Sequence, residues 1–412
     1  MSYPCNDSDV TLITPPVIVA ELVEVDQYAD EQLSSDGPVS ESRGRRIIRR
    51  GQRPVRLAGR IAEWLFGGIG IIVGLALLAA IPILQFLSLG YLLEVAGRVA
   101  RTGRLRDGFI GYCQAVRLTG IVAGIWIVLL PLRLTATTRR SAILIDPDSP
   151  AARNWSIALV ALTVLVALHL VLALWRGGRL RHFLWPFFNP RKLWRQVAAA
   201  NPYVAARDAV WDFVVALRLP YYFWLGLRGF LGGLIWLAVP VSLLALGGRA
   251  PLVSWLGALL LAWVLPALPF LQTRLAVEGR FRAMFERRAI RALFTHAPIA
   301  FGFALLITLL SALPLYLLKI EMVPREAAWL PSLVFVLFIF PARVVTGWAY
   351  SRGQRRPTAR HWTSRIAARL GMLPVVALYV LVVFFTQYTA WHGTWSLYEQ
   401  HAFLLPVPFF SW

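Results

Sequence analysis

Apolar residues run almost unbroken through eight stretches of this chain, at 61–97, 118–134, 154–175, 221–246, 252–272, 298–318, 328–347 and 372–390. They show neither the alternation of a half-buried strand nor the polar stripe of a helix on a soluble core. Most reach or approach the about 20 residues a helix needs to cross a hydrocarbon layer. Trp155 and Trp175 bracket one stretch, and Trp329 and Trp348 another. Each pair spans about 30 Å along a helix axis, which puts both rings at headgroup level. Prolines inside the stretches (Pro240, Pro266, Pro269, Pro314, Pro341, Pro374) read as kinks or as hinges.

Between the stretches lie the basic residues. Lys plus Arg number eight in 43–60, five in 98–117, four in 133–153, eight in 176–218 and one in 247–251. The count is then six in 273–297, two in 319–327, six in 348–371 and none in 391–412. Rich and poor segments alternate, as the positive-inside rule expects, with one violation. The rich segments on both sides of 61–97 belong on the cytoplasmic face only if that stretch crosses an even number of times. Pro82 near its centre allows a hairpin with arms 61–80 and 83–97, or a re-entrant second half. The pattern predicts an all-α polytopic transmembrane helix bundle of seven to nine crossings. The N-terminus is cytoplasmic and the C-terminus outside.

Composition agrees: 58% of the 412 residues are hydrophobic and 15% charged. The net charge of +21 would suit nucleic acid, but its distribution argues against that partner, and no nucleic acid is expected. Residues 1–42 hold nine of the 21 acids and no Lys or Arg, so they read as an acidic disordered tail. Residues 43–60 read as an Arg-rich cytoplasmic anchor for anionic headgroups. The domain organisation is completed by a transmembrane helical domain, 61–390, and an aromatic extracytoplasmic tail, 391–412. Cys5 and Cys113 read as two isolated thiols, neither a disulfide nor a metal site. No basic segment leads into a short apolar core at the start, so no cleaved signal peptide is visible.

Two phrases recur. "RDGFIGYCQAVRL" at 106–118 and "RDAVWDFVVALRL" at 207–219 share Arg, Asp, Ala, Arg and Leu at equal spacing. Phe109, Tyr112, Cys113 and Val116 take helical spacing in one, as do Val210, Phe213, Val214 and Leu217 in the other. Each pair of arginines, Arg106 with Arg117 and Arg207 with Arg218, is eleven residues apart and falls on one stripe. Both phrases therefore predict amphipathic helices on the cytoplasmic surface, with these four arginines on anionic lipid headgroups. Basic segments in 273–297 and 355–370 occupy similar places before later stretches. The repeats are either a parallel duplication or the ordinary outcome of basic loops preceding spans.

Candidate chemistry is sparse. His169 is the ionisable residue clearly inside a stretch, and reads as a packed, hydrogen-bonded histidine or a functional one. Arg228 and Arg343 are placed near cytoplasmic ends, where they snorkel. Gly67, Gly70 and Gly74 have the small-residue spacing of close helix packing. His392, Glu399 and His401 match no metal-ligand spacing. No catalytic, phosphate-binding or metal motif is present, so no catalytic residue and no cofactor is expected.

The segment "IPILQFLSLGYLLEVAGRVARTGRLRDGFIG" at 81–111 resembles a family of bacterial multi-pass membrane proteins of unknown function. There too an apolar run ends in Leu-Gly-Tyr, here Leu89, Gly90 and Tyr91, and passes into a basic, Gly-containing loop. The resemblance covers about a tenth of the chain and implies a bacterial inner-membrane location. Two functions fit these features. One is a noncatalytic membrane component that organises protein partners or lipids. The other is a permease or lipid-handling transporter.

Overall fold

The structure, a computed structural model, describes residues 65–175, 217–246, 250–317, 329–390 and 393–398, together with Phe183, Trp211, Val215 and Phe403. The acidic tail, the Arg-rich anchor, Arg207, Asp208 and most of the second recurring phrase lie outside them. The chain divides into compact units 1–67 and 68–412, and the helix bundle belongs to the second.

The described residues form eleven α-helices and no strand. They are α1 (Leu65–Ala80), α2 (Gln85–Thr102), α3 (Tyr112–Ile145), α4 (Pro150–Trp175), α5 (Leu219–Ala245) and α6 (Pro251–Val264). The chain continues through α7 (Leu268–Glu278), α8 (Arg287–His296), α9 (Pro298–Leu317), α10 (Trp329–Arg355) and α11 (Trp362–Thr389). Six are long and apolar enough to cross a membrane: α3, α4, α5, α9, α10 and α11. The number rises to seven if α6 and α7, bent by 44° at a short break containing Pro266, are one span. Among the described residues the upper part of the expected range, eight or nine, is not reached.

The shortfall comes from 61–97. It divides near Pro82 as expected, but neither half qualifies as a span. Helix α1 is too short, and α2 carries Glu94, Arg98 and Arg101. Instead α2 is the centre of the bundle, with 13 of its 18 residues buried. Small residues let it be surrounded. A Cβ added at Gly90 would stand 1.8 Å from the Tyr222 carbonyl oxygen on α5. One at Gly226 would stand 1.9 Å from the Phe86 carbonyl oxygen on α2. One at Gly97 would meet Ala276 of α7, and one at Gly347 of α10 would fall 2.3 Å from the Ala96 carbonyl oxygen. Backbones in direct contact are how helices associate where lipid removes the hydrophobic drive. Of the glycines expected to do this, Gly70 meets Thr119, while Gly74 has nothing within 4 Å of its added Cβ.

Helices α3 and α4 pair with each other and keep most of their apolar surface exposed, including Val122, Trp126, Val160, Val164 and Leu168. Such a face suits lipid and not water. At 34 residues α3 is about 51 Å long, well beyond the about 30 Å of hydrocarbon.

The interfacial helices are corrected in part. The first phrase is not one helix: Leu105–Gly108 is a 3₁₀ turn, Gly111 takes φ +65°, and α3 starts at Tyr112. Glycine supplies the left-handed backbone there at no steric cost. The basic segment 355–370 runs directly into α11. Only α8 is a separate short amphipathic helix among the described residues, with Ile290 buried and Arg288 and Arg291 exposed. Cys113 is disulfide-bonded, against the expectation of isolated thiols.

Candidate functional site

Two turns of matching sequence and backbone stand at one end of the bundle. Residues 98–109 read "RVARTGRLRDGF" and residues 274–285 "RLAVEGRFRAMF", with six of twelve positions identical. In the first, Gly103 closes α2 at φ 70° and ψ 8°, and Arg104 is extended at φ −106° and ψ 122°. In the second, Gly279 closes α7 at φ 68° and ψ 3°, and Arg280 is extended at φ −104° and ψ 127°. A 3₁₀ segment follows each. Both helices end on a left-handed glycine whose N–H bonds back four residues, to Val99 and Leu275.

Each turn stands beside a half-buried charge cluster. On α2, Glu94 accepts from Tyr221 Oη of α5 (2.7 Å) and pairs with Arg101. Arg101 Nη1 also donates to the Ala276 carbonyl of α7 (2.9 Å). On α7, Arg274 pairs with Glu278 (2.6 Å) and with Glu286, and donates to Tyr350 Oη of α10 (3.3 Å). The bond that Arg274 donates to Glu286 holds that carboxyl below the usual carboxylate range. Arg228 of α5 donates to the Gly279 carbonyl (3.0 Å), and Arg355 of α10 to that of Thr102.

These contacts gather the ends of α2, α7 and α10 and the start of α5 at one place, with Arg104, Arg106 and Arg282 exposed around them. Nearby, Arg287 lies 3.4 Å from the Trp263 ring centroid and 5.5 Å from that of Trp236. Burial pushes its pKa down, yet the rings reward the cation. Away from the two turns, residues of the C-terminal tail pack into the bundle. There Gln272 Nε2 donates to the Phe403 carbonyl (2.8 Å), and Tyr398 Oη to Ser242 Oγ (2.9 Å). Ser396, Leu397 and Phe403 are buried, so these positions of the tail enter the bundle instead of resting on a headgroup layer. The Gln272 amide explains the difference, because a buried N–H needs an acceptor.

The sequence candidates fall in different places. His169 Nε2 lies 2.9 Å from the Phe183 carbonyl oxygen, a bond that requires Nε2 to carry the proton. Phe183 is buried against Gly124 of α3, so the histidine ties Phe183 to the α3–α4 pair. Arg106 and Arg117 are exposed, and Arg218 is exposed beside the Tyr221 ring at φ 49°. The structure does not bring these arginines to His169. Arg228 is tied to Gly279, and Arg343 does not snorkel: it is 2% exposed. Helix α10 runs two turns past the expected end, to Arg355, and so leaves Arg343 about 18 Å inside it.

Nη1 and Nη2 of Arg343 are buried and have no hydrogen-bond partner. Sequence reasoning missed this residue because the apolar stretch alone put it near an end. It also missed the matching turns, although both carry Gly-Arg-x-Arg. Among the described residues no group of three His, Cys, Asp or Glu is placed to hold a metal ion.

No protein-family model matches the chain, and no curated protein or solved structure is similar to it. No family is shown. The structure supports a multi-pass membrane protein from its six to seven long apolar helices.

Proposed function

We propose that this protein is a noncatalytic membrane component that gathers anionic lipids, and through them protein partners, at its arginine-rich end. That end faces the cytoplasm of a bacterium from its inner membrane, with the N-terminus inside and the C-terminus outside. The supporting observation is the pair of matching turns, which present Arg104, Arg106 and Arg282 on a rigid, ion-paired base. Each arginine near an anionic surface contributes about 1 kcal/mol. The triple substitution Arg104→Ala, Arg106→Ala and Arg282→Ala is therefore expected to weaken phosphatidylglycerol binding about a hundredfold at low salt. The gap should narrow at high salt, because exposed charges are screened. Titration of the lipid into mixed micelles, read by native mass spectrometry, measures both. Unchanged binding at low salt would sink the reading.

A second reading, a permease or lipid-handling transporter, is favoured by the 44° break between α6 and α7, at a bend that could serve as a hinge.

A further inference from the structure

We propose that Arg343 anchors a binding site for one oxyanion, a phosphate or carboxylate, inside the helix bundle. The site is distinct from the exposed arginines of the basic end. It starts from a charge with no counter-charge. Arg343 is 2% exposed, and both terminal nitrogens lack a hydrogen-bond partner. Among the described residues the carboxylates of the core are already committed: Glu94 to Arg101, Glu278 to Arg274 and Arg280, and Glu286 to Arg274. The nearby hydroxyl of Thr346 donates to the Ala342 and Arg343 carbonyls of its own helix.

A guanidinium does not escape burial by losing its proton, as a lysine can. An unpaired buried cation costs several kcal/mol, and such residues at membrane depth mark functional sites. Two parallel N–H groups are satisfied at once by a planar pair of oxygens, which carboxylate and phosphate both supply.

The helix register places a second polar group on the same side of α2. Helices α2 and α10 run parallel: Gly347 packs on Ala96, and Arg355 reaches Thr102 and Gly103. One turn back along both helices sets Arg343 level with Leu92. Ser88 lies one further turn along α2, about 6 Å away in register. Its Oγ is buried and likewise has no partner.

The test uses the full chain, purified in mild detergent, with phosphatidylglycerol, phosphatidylcholine or inorganic phosphate added at low and high salt. Wild type is expected to hold one phosphatidylglycerol or one phosphate at high salt, because a buried pair is little screened. Arg343→Met should lower that salt-resistant affinity at least about tenfold and leave the salt-sensitive binding of the basic end intact. Arg343→Lys keeps the charge and loses the fork, so it should fall between. A shift with inorganic phosphate alone identifies a small free anion; a shift with phosphatidylglycerol alone identifies a lipid headgroup. Salt-resistant binding that survives Arg343→Met, or is absent from wild type with both probes, overturns the site. If Arg343→Met does not fold, the Arg343→Lys affinity decides: equal to wild type on both probes, it overturns the fork.

Discussion

Gly226→Leu is expected to abolish a monodisperse, folded protein. The added Cβ would stand 1.9 Å from the Phe86 carbonyl oxygen and 2.9 Å from the Gly90 nitrogen. Both are backbone atoms of α2, so no side chain can turn away. Relief comes only by moving α5 off α2, which also opens the reciprocal contact of Gly90 with Tyr222 and the Tyr221–Glu94 bond. Overpacking a core costs about 1–3 kcal/mol, and a clash with fixed backbone belongs at or above the top of that range. Gly74→Ala is the control. Nothing lies within 4 Å of its Cβ, and alanine gains about 0.5–1 kcal/mol of helix propensity over glycine. Fluorescence-detected gel filtration after a heating series distinguishes the two. A folded Gly226→Leu that melts like wild type would show that α2 and α5 are not in backbone contact.

Arg274→Gln is the second large effect. Arg274 ties α7 to the turn at Glu286 and to Tyr350 of α10. Removing it leaves Glu278 and Glu286 with the pairing of Arg280 to Glu278 and the more distant fields of Arg280 and Arg282 on Glu286. Hydrogen bonds involving charged groups are stronger than neutral ones, and here three converge on one guanidinium. The substitution should therefore lower the melting temperature by several degrees at neutral pH.

The pH profile carries the specific signature. Because Arg274 depresses the folded-state pKa of Glu286, this carboxylate adds stability above its unfolded pKa, and that stability is lost as pH falls through the folded value. Wild type should thus lose melting temperature on acidification into that window. Arg274→Gln should lose less there, since its Glu286 no longer has a depressed pKa. Parallel profiles for the two proteins would count against the pairing.

Much of the helix order was legible. Stretches 154–175, 221–246 and 298–318 became α4, α5 and α9 with ends shifted by a few residues, because unbroken apolar runs leave little choice in lipid. The ends of α3 were not legible. Arg133, Arg139 and Arg140 resemble loop residues, but a helix emerging from the membrane keeps its own hydrogen bonds and continues. The role of α2 was hidden for a different reason. Glu94, Arg98 and Arg101 made its second half resemble a loop approach, whereas Gly90, Ala96 and Gly97 let three helices close around it. Periodicity reports that a face is apolar and not which partner covers it. Of the candidate site, His169 was singled out by the sequence and is hydrogen-bonded to the Phe183 carbonyl, whereas the depth of Arg343 was not legible, since it depends on where α10 stops.

The Gln272–Phe403 bond joins residues 131 positions apart. A ribosome adding about 5–20 residues per second needs on the order of ten seconds to make that stretch. Through that interval the Gln272 amide is already part of an inserted helix while its acceptor has not yet been made. The contact of the C-terminal tail with α7 therefore closes late in biosynthesis, after Arg274 has its carboxylates and Tyr350. Assembly has a direction, and until it is complete a buried amide N–H of the apolar core waits without its acceptor.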